Sequence, residues 1–368
     1  MKIITIVGAR PQFVKAAVVS KAFDCLPRVD EILLHTGQHF DGNMSQIFFD
    51  ELGICAPKYN LSISGGYHGA QTGRMLEKVE EVLIEEMPDL VLVYGDTNST
   101  LAGALAASKL HIPIAHIEAG LRSFNRRMPE EINRIMTDHL SDLLFAPTEI
   151  GLRNLRNEGI APEKCHYVGD VMYDASIYFG QRAEDVSSIL NRLGLASKEY
   201  ILATIHRAEN TDDGTRLNAI LDSFLNVAED IPIVLPLHPR TKAAIEANGL
   251  LRRSKFSTNI ILTDPIGYLD MIMLEKNALL IATDSGGVQK EAFIYKVPCV
   301  TLRDETEWTE LVELGWNTVV SPLSGSVTIS NTIREKMATK GVAGSPYGEG
   351  DASKRIAAEI SKRYGVAA

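Results

Sequence analysis

Short apolar runs recur along the chain, each closing on a glycine, a proline or a polar residue and each followed by a stretch with helical spacing. Runs of this kind fit buried strands, and their alternation with helical stretches is the pattern of parallel sheets joined by crossover helices. In the first half, strands are expected at 2–7, 31–35, 90–94, 114–117, 143–146 and 166–168. In the second they are expected at 201–205, 233–237, 260–262, 279–282, 299–302 and 318–320. The fold class that follows is α/β, with two Rossmann-like, doubly wound parallel-sheet domains. At 368 residues the chain exceeds the usual size of one core, which supports two domains over one. The first is expected at 1–171 and the second at 172–351, with Gly169, Asp170 and Asp174 at their connection. A helical stretch at 352–368, beyond the glycine-rich residues 341–350, is expected to pack back on the first domain.

The carboxyl ends of these strands are where ligands of open α/β sheets bind, so their residues are the candidates for chemistry. In IATDSGGVQKEA (281–292), Ser285, Gly286 and Gly287 form a tight turn at a helix start. Free N–H groups and the helix dipole suit a phosphate there, although an ordinary strand-to-helix turn explains the same glycines equally well. Glu291, one helical turn further on, stands where a carboxylate accepts hydrogen bonds from sugar hydroxyls. Arg10 in the first turn and Lys15 in the helix behind it put two cations near one N-terminus, which suits a diphosphate. Thr97 or Asn98 can cap the next helix, which leaves Asp96 free for chemistry. Glu118 closes an apolar strand, a place where a carboxylate usually has a partner or a task. Glu130 and Glu131 follow Pro129 in a first helical turn, where complementing the dipole explains at least one of the pair. His206 with Arg207, and His238 with Arg240, end two strands of the second half and offer proton carriers beside permanent cations. The loop TGQH (36–39) reads as a binding or a solvated loop, Tyr67, His68 and Gln71 as parts of a lid, and Trp308 as interdomain packing.

Composition narrows the function classes. A hydrophobic content of 45% and a charged content of 23% are those of a soluble globular protein. The net charge of −10, with no basic tract, opposes a nucleic-acid partner, so an anionic ligand has to be held by local cations. No apolar run is long enough to span a bilayer, and the run at 3–7 is too short for a signal peptide, which predicts a cytoplasmic protein without a membrane partner. Cys25, Cys55, Cys165 and Cys299 lack metal-ligand spacing and read as reduced packing residues, so no structural zinc is expected; no metal or cofactor is expected at the site either.

Seven motifs, in order and spacing, carry a resemblance across nearly the whole chain: GARPQFVK (8–15), TGQH (36–39), VYGDTNST (93–100), HIEAGLRS (116–123), PEE (129–131), ATIHRAEN (203–210) and TDSGGVQKEA (283–292). Together they resemble the non-hydrolysing UDP-N-acetylglucosamine 2-epimerase family. The resemblance implies a glycosyltransferase-B type fold with the nucleotide sugar in a cleft between the domains, a homodimer, and a role in supplying cell-surface polysaccharide synthesis. It further implies that Arg10, Lys15, Asp96, Glu118, Glu130, His206, Ser285, Gly286, Gly287 and Glu291 stand at functional positions, and that Ile266 and Met271 border the uracil. Arg207 and His238 join these as strand-end substrate contacts.

The chemistry the resemblance implies agrees with these residue types. Carbon 2 of an N-acetyl sugar has no adjacent carbonyl, and no nicotinamide fingerprint stands out in the sequence, so loss of UDP has to acidify its proton. A carboxylate then removes that proton to leave a glycal, and UDP adds back with protonation from the other face. Base and acid are expected among Asp96, Glu118 and Glu130, with Arg10, Lys15, His206 and the Ser285–Gly287 turn on the departing UDP. Some residues depart from better-known members. Ala70 replaces an arginine of the substrate-type allosteric site, and Arg126 and Arg127 read as solvated loop charges or as cations for an extra anionic group such as the 6-carboxylate of a UDP-diacetamido-glucuronate. A transferase or a nucleotide-sugar sensor on the same fold are the readings from other classes.

Overall fold

In a computed structural model, which describes residues 1–26, 28–38, 49, 52–247 and 259–365, the apolar runs become the strands of two all-parallel sheets. The first contains β1 (Lys2–Val7), β2 (Asp30–His35), β3 (Tyr59–Asn60), β4 (Leu90–Tyr94), β5 (Ile114–Ile117), β6 (Leu143–Ala146) and β7 (Cys165–Tyr167), in the order β3-β2-β1-β4-β5-β6-β7. The second contains β8 (Ile201–Thr204), β9 (Ile233–Pro236), β10 (Ile260–Thr263), β11 (Leu280–Thr283), β12 (Cys299–Thr301) and β13 (Asn317–Val319), in the order β10-β9-β8-β11-β12-β13. Both sheets grow first to one side of their opening strand and then to the other. The reversal falls between β1 and β4 in one sheet and between β8 and β11 in the other, and it opens a crevice at the strand ends there. The edge strand β3, two residues long, is the one strand the apolar pattern does not announce.

Helices cover both faces of each sheet, which is why the strands read as continuous apolar runs. In the second sheet, Ile201, Ala203, Ile233, Leu235, Leu280 and Ala282 pack into one cluster with the helix Gly214–Val227. Their neighbours Leu202, Val234, Ile281 and Cys299 pack into another on the opposite face. Alternate residues thus serve alternate cores, the period of two that a strand imposes.

The chain divides into two compact units, Met1–Tyr178 with Ser345–Ala368, and Phe179–Gly344. Residues 172–178 and 345–351, assigned to the second domain from sequence, pack with the first unit. The Asp170 N–H donates to the Tyr347 carbonyl at 2.9 Å, and the Asp174 carboxylate accepts from Ala352 N, Ser353 N and Ser353 Oγ at 2.6–3.1 Å. Asp174 so caps the helix Ala352–Tyr364, which lies against the helix Arg10–Asp24. No helix among the described residues is long and apolar enough to cross a membrane.

Candidate active site

In the first unit the candidates gather around the strand-order reversal. Gln12 shapes the turn after β1. Its Oε1 accepts from Gly8 N and Ala9 N at 2.8 and 3.0 Å, and its Nε2 donates to the Tyr94 carbonyl at 2.7 Å, tying the β1 and β4 turns together. Arg10 opens the helix behind that turn and is partly buried. Lys15 is 8% exposed and ion-paired with Glu118, which is 7% exposed. The lysine expected to serve a diphosphate beside Arg10 therefore has a carboxylate as its partner in this state.

Glu118 follows β5 with φ +71°, a left-handed conformation that costs a non-glycine residue of the order of 1 kcal/mol or more. Its Oε2 lies 3.1 Å from where a Cβ of Gly95 would stand, a tight approach to the turn that carries Asp96, and the φ of +62° at Gly95 also favours glycine. Asp96 accepts from Arg134 Nε and Nη2 at 3.0 and 2.6 Å, and its carbonyl accepts from Asn133 Nδ2 at 2.9 Å. Glu130 begins the helix Pro129–Leu140, is partly buried, and has no polar partner among the described residues. Its neighbour Glu131 is 1% exposed and does far more than complement a dipole. It accepts from Ser123 N, Ser123 Oγ, Phe124 N and Arg134 Nη1 at 2.8–3.0 Å. Burial opposes the charge, but these donors outweigh it and hold the Glu131 carboxyl below its ordinary range.

Behind the two turns lies a buried network that the sequence reading missed. His116 and Asp138 meet at 2.7 Å, and the other ring nitrogen of His116 meets the Gly95 carbonyl at 2.7 Å. Asp138 also accepts from Gly120 N at 3.0 Å and from Arg122 at 2.7 Å, while Arg122 holds Glu158 in a two-point contact. Burial raises the Asp138 pKa, but His116 and Arg122 overcome it and the net shift is downward. His68 and Gln71, read as parts of a lid, sit at the start of the helix His68–Glu86 and are held by Asn98 Nδ2 at 3.1 and 2.8 Å. Gln71 is buried, whereas His68 and Tyr67, the latter 91% exposed, keep the solvent position that reading needs. His39 lies outside the described residues, whereas Gln38 accepts from Ser99 N and Oγ at 3.0 and 2.7 Å.

In the second unit, Asp284 organises the reversal. Fully buried, it accepts from His206 N, Arg207 N and Asn210 Nδ2, each at 3.1 Å, and its Oδ1 lies 3.4 Å from His206 Nδ1. The turn after β8 is thereby bolted to the turn after β11. The His206 side chain is 40% exposed, yet burial of the remainder outweighs the pull of Asp284, and with Arg207 adjacent the imidazole stays below its ordinary range. Its ring lies 5.7 Å from that of the exposed His238. Ser285 precedes the helix Gly286–Ile294, whose first N–H groups, on Gly286, Gly287 and Val288, have no acceptor within the helix. A Cβ on Gly286 would come within 2.9 Å of Glu307 Oε1 and 3.5 Å of Trp308 Nε1, so the turn stays bare of side chains. Trp308, read as interdomain packing, meets the glycine turn of its own unit. Its indole donates to the Gly286 carbonyl at 3.0 Å, and Lys290 lies over its ring. Glu291, 6% exposed, follows in the same helix, and Ile266 and Met271 are partly buried against the cluster of Leu202, Val234 and Ile281.

The missed residues had weak signals. Asp284 ends an apolar strand as Glu118 does, and could have been singled out by the same rule. Asp138 lies seven residues after Glu131, two helical turns along the same face, but in a helix whose apolar residues point elsewhere.

Comparison with known proteins adds a family. The model of the UDP-N-acetylglucosamine 2-epimerase family matches residues 21–361. A Pseudomonas aeruginosa UDP-2,3-diacetamido-2,3-dideoxy-D-glucuronate 2-epimerase is 54% identical, over 98% of this chain and 100% of its own length. A Methanocaldococcus jannaschii UDP-N-acetylglucosamine 2-epimerase is 45% identical over 97% of this chain and 98% of its own. A crystal structure of the M. jannaschii enzyme in complex with UDP-GlcNAc and UDP superposes with a TM-score of 0.89, covering 98% of this chain and 100% of that one. A Neisseria meningitidis UDP-GlcNAc 2-epimerase bound to UDP-GlcNAc, 32% identical, gives a TM-score of 0.86 over 98% of this chain and 100% of that one.

Proposed function

Since the chain belongs to the UDP-N-acetylglucosamine 2-epimerase family, we propose that its first unit inverts carbon 2 of a UDP-linked N-acetylhexosamine while the glycine turn of its second unit holds the UDP. The activity is that of a UDP-sugar 2-epimerase, an isomerase. The observation that carries the assignment of residues is the pairing of Asp96 and Glu118 on adjoining turns at the first reversal, with Lys15 bonded to Glu118. Bond by bond, the carbon 1 to oxygen bond breaks with its electron pair leaving on UDP, a carboxylate takes the carbon 2 proton, and the remaining pair forms the glycal double bond. The reverse steps deliver a proton to the other face of carbon 2 and return the UDP oxygen to carbon 1. Base and acid are drawn from Asp96, Glu118 and Glu130. Arg10, His206, Arg207 and the N–H groups of the Ser285–Gly287 turn receive the charge on UDP, with Ile266 and Met271 against the uracil and Glu291 on sugar hydroxyls.

A second substrate, the 2,3-diacetamido-glucuronate analogue, is favoured by a specific feature. Arg126 and Arg127 are exposed, and their guanidinium groups have no partner among the described residues, in a loop whose preceding backbone is pinned by buried Glu131. Two guanidinium groups held in this way suit a sugar 6-carboxylate.

Incubation in D2O with each UDP-sugar, followed by proton NMR, tests both readings. Deuterium at carbon 2 with UDP still attached is expected, and the faster substrate names the sugar. Release of free N-acetylmannosamine and UDP would identify a hydrolysing enzyme, and no exchange with either sugar would sink the epimerase reading for these substrates. The expected homodimer belongs to the same proposal. Sedimentation velocity is expected to give twice the chain mass, and a species at the mass of one chain overturns it.

A further inference from the structure

The Asp138 carboxylate reaches both turns that bear the proposed acid and base. One oxygen contacts His116, whose far nitrogen reaches the Gly95 carbonyl, the residue before Asp96, at 2.7 Å. The other accepts from Gly120 N at 3.0 Å, two residues after Glu118, and from Arg122 at 2.7 Å. Asp138 and His116 are 1% and 0% exposed, so neither is placed to touch a sugar, and water does not compete for these bonds. The same helix sends Asn133 to the Asp96 carbonyl and Arg134 to the Asp96 carboxylate. Glu118, between Gly95 (+62°) and Gly120 (+81°) in these turns, is itself left-handed at φ +71°, and strain of that kind at a non-glycine residue persists only where the surroundings over-determine it.

We propose that Asp138 is a positioning residue which, through His116 on one side and Gly120 on the other, fixes the turn of Asp96 and the turn of Glu118 at one separation. The proposal rests on the assignment of Asp96 and Glu118 to proton transfer at carbon 2. Inversion needs a proton taken from one face and returned to the other, so the spacing of the two carboxylates matters more to turnover than to the holding of UDP. A misplacement near 1 Å at such a site costs on the order of 10²-fold in rate.

The test is Asp138→Asn in the full chain, which removes the negative charge from the His116 and Arg122 contacts and puts a donor in place of one acceptor oxygen. A kcat lowered about ten- to hundredfold is expected, with KM and the Kd for UDP within about threefold of the parent. Deuterium appearing in substrate that has not inverted is expected to rise relative to product, because protons return to the face they left. Glu158→Gln serves as the control. It loosens the outer end of the Arg122 pair without touching either turn, and is expected to lower thermal stability while leaving kcat within about twofold. If Asp138→Asn does not fold, His116→Gln severs the tie to the Asp96 turn alone and is expected to show the same split of kcat from UDP affinity. The proposal is overturned by unchanged kcat in the folded variant, or by rate, KM and UDP affinity all falling together with the folded fraction. Asp96→Asn and Glu118→Gln are run beside it. Full turnover in those two defeats the assignment of acid and base, whatever Asp138→Asn does.

Discussion

His206 shows how a single residue can report on ligand binding through its protons. In the free protein its pKa lies below the ordinary 6.5, because burial and the neighbouring Arg207 outweigh Asp284. A diphosphate arriving beside the ring adds negative charge and raises that pKa, so binding takes up a proton wherever the pH lies between the two values. The sign follows directly. Affinity for a UDP-sugar, whose diphosphate diester does not titrate near neutrality, is expected to strengthen as the pH falls through the bound-state value toward the free one, by at most one proton. Titration calorimetry in two buffers of different ionisation enthalpy measures the uptake, and His206→Gln is expected to abolish it. The same slope in the variant would remove His206 from the diphosphate. Residues of this kind were legible because they interrupt the junction of an apolar strand and a turn, as Arg10, Asp96, Glu118 and His206 all do. His116 and Asp138 were not. One lies inside a strand and the other inside a helix, and what makes them informative is a partner 22 residues away in sequence.

At the scale of elements, the strands were legible for a simple reason: parallel sheets buried on both faces leave nearly continuous apolar runs. The helix Pro129–Leu140 was read less well because its polarity is inverted. It buries Glu131, Asn133, Thr137 and Asp138 while Ile132 and Met136 are 47% and 44% exposed. Periodicity assigns the apolar stripe to the core, so here it points away from the side that holds the site. Glu131 is the anchor of that helix to the 123–124 backbone. Glu131→Gln leaves donors without their charged acceptor and is expected to cost about 1–3 kcal/mol at neutral pH. The pH dependence identifies the cause. The folded pKa of Glu131 lies below 4.5, so its contribution is complete above that value and is lost as the pH falls through the folded value. Urea unfolding at pH 7 and below pH 4 is expected to show the gap between parent and variant closing in acid. A gap that persists would assign the loss to packing.

At the scale of the whole molecule, the same strand order is used twice, and each reversal carries a different kind of side chain. The first reversal gathers Asp96 and Glu118 with Lys15, residues suited to moving protons at a sugar carbon. The second gathers His206, Arg207 and the N–H groups after Ser285, residues suited to holding phosphates in a protein whose net charge is −10. The proposed division of labour predicts how variants sort kinetically. Asp96→Asn and Glu118→Gln are expected to lower kcat by about 10²-fold or more while UDP affinity changes little, since general acid and base groups contribute on that scale. Asp284→Asn keeps its shape but sets an amide donor against His206 N or Arg207 N, and is expected to weaken UDP binding about five- to fiftyfold, the equivalent of one buried hydrogen bond. Glu118 lies in the first unit and Asp284 in the second, and a double variant of the two is expected to show losses in UDP binding free energy that add within about 0.5 kcal/mol. A larger coupling would mean that Glu118 also contributes to holding UDP, and that acid-base chemistry and nucleotide binding are not divided between the two reversals. Calorimetric Kd values for UDP across the four proteins of that cycle decide between the two.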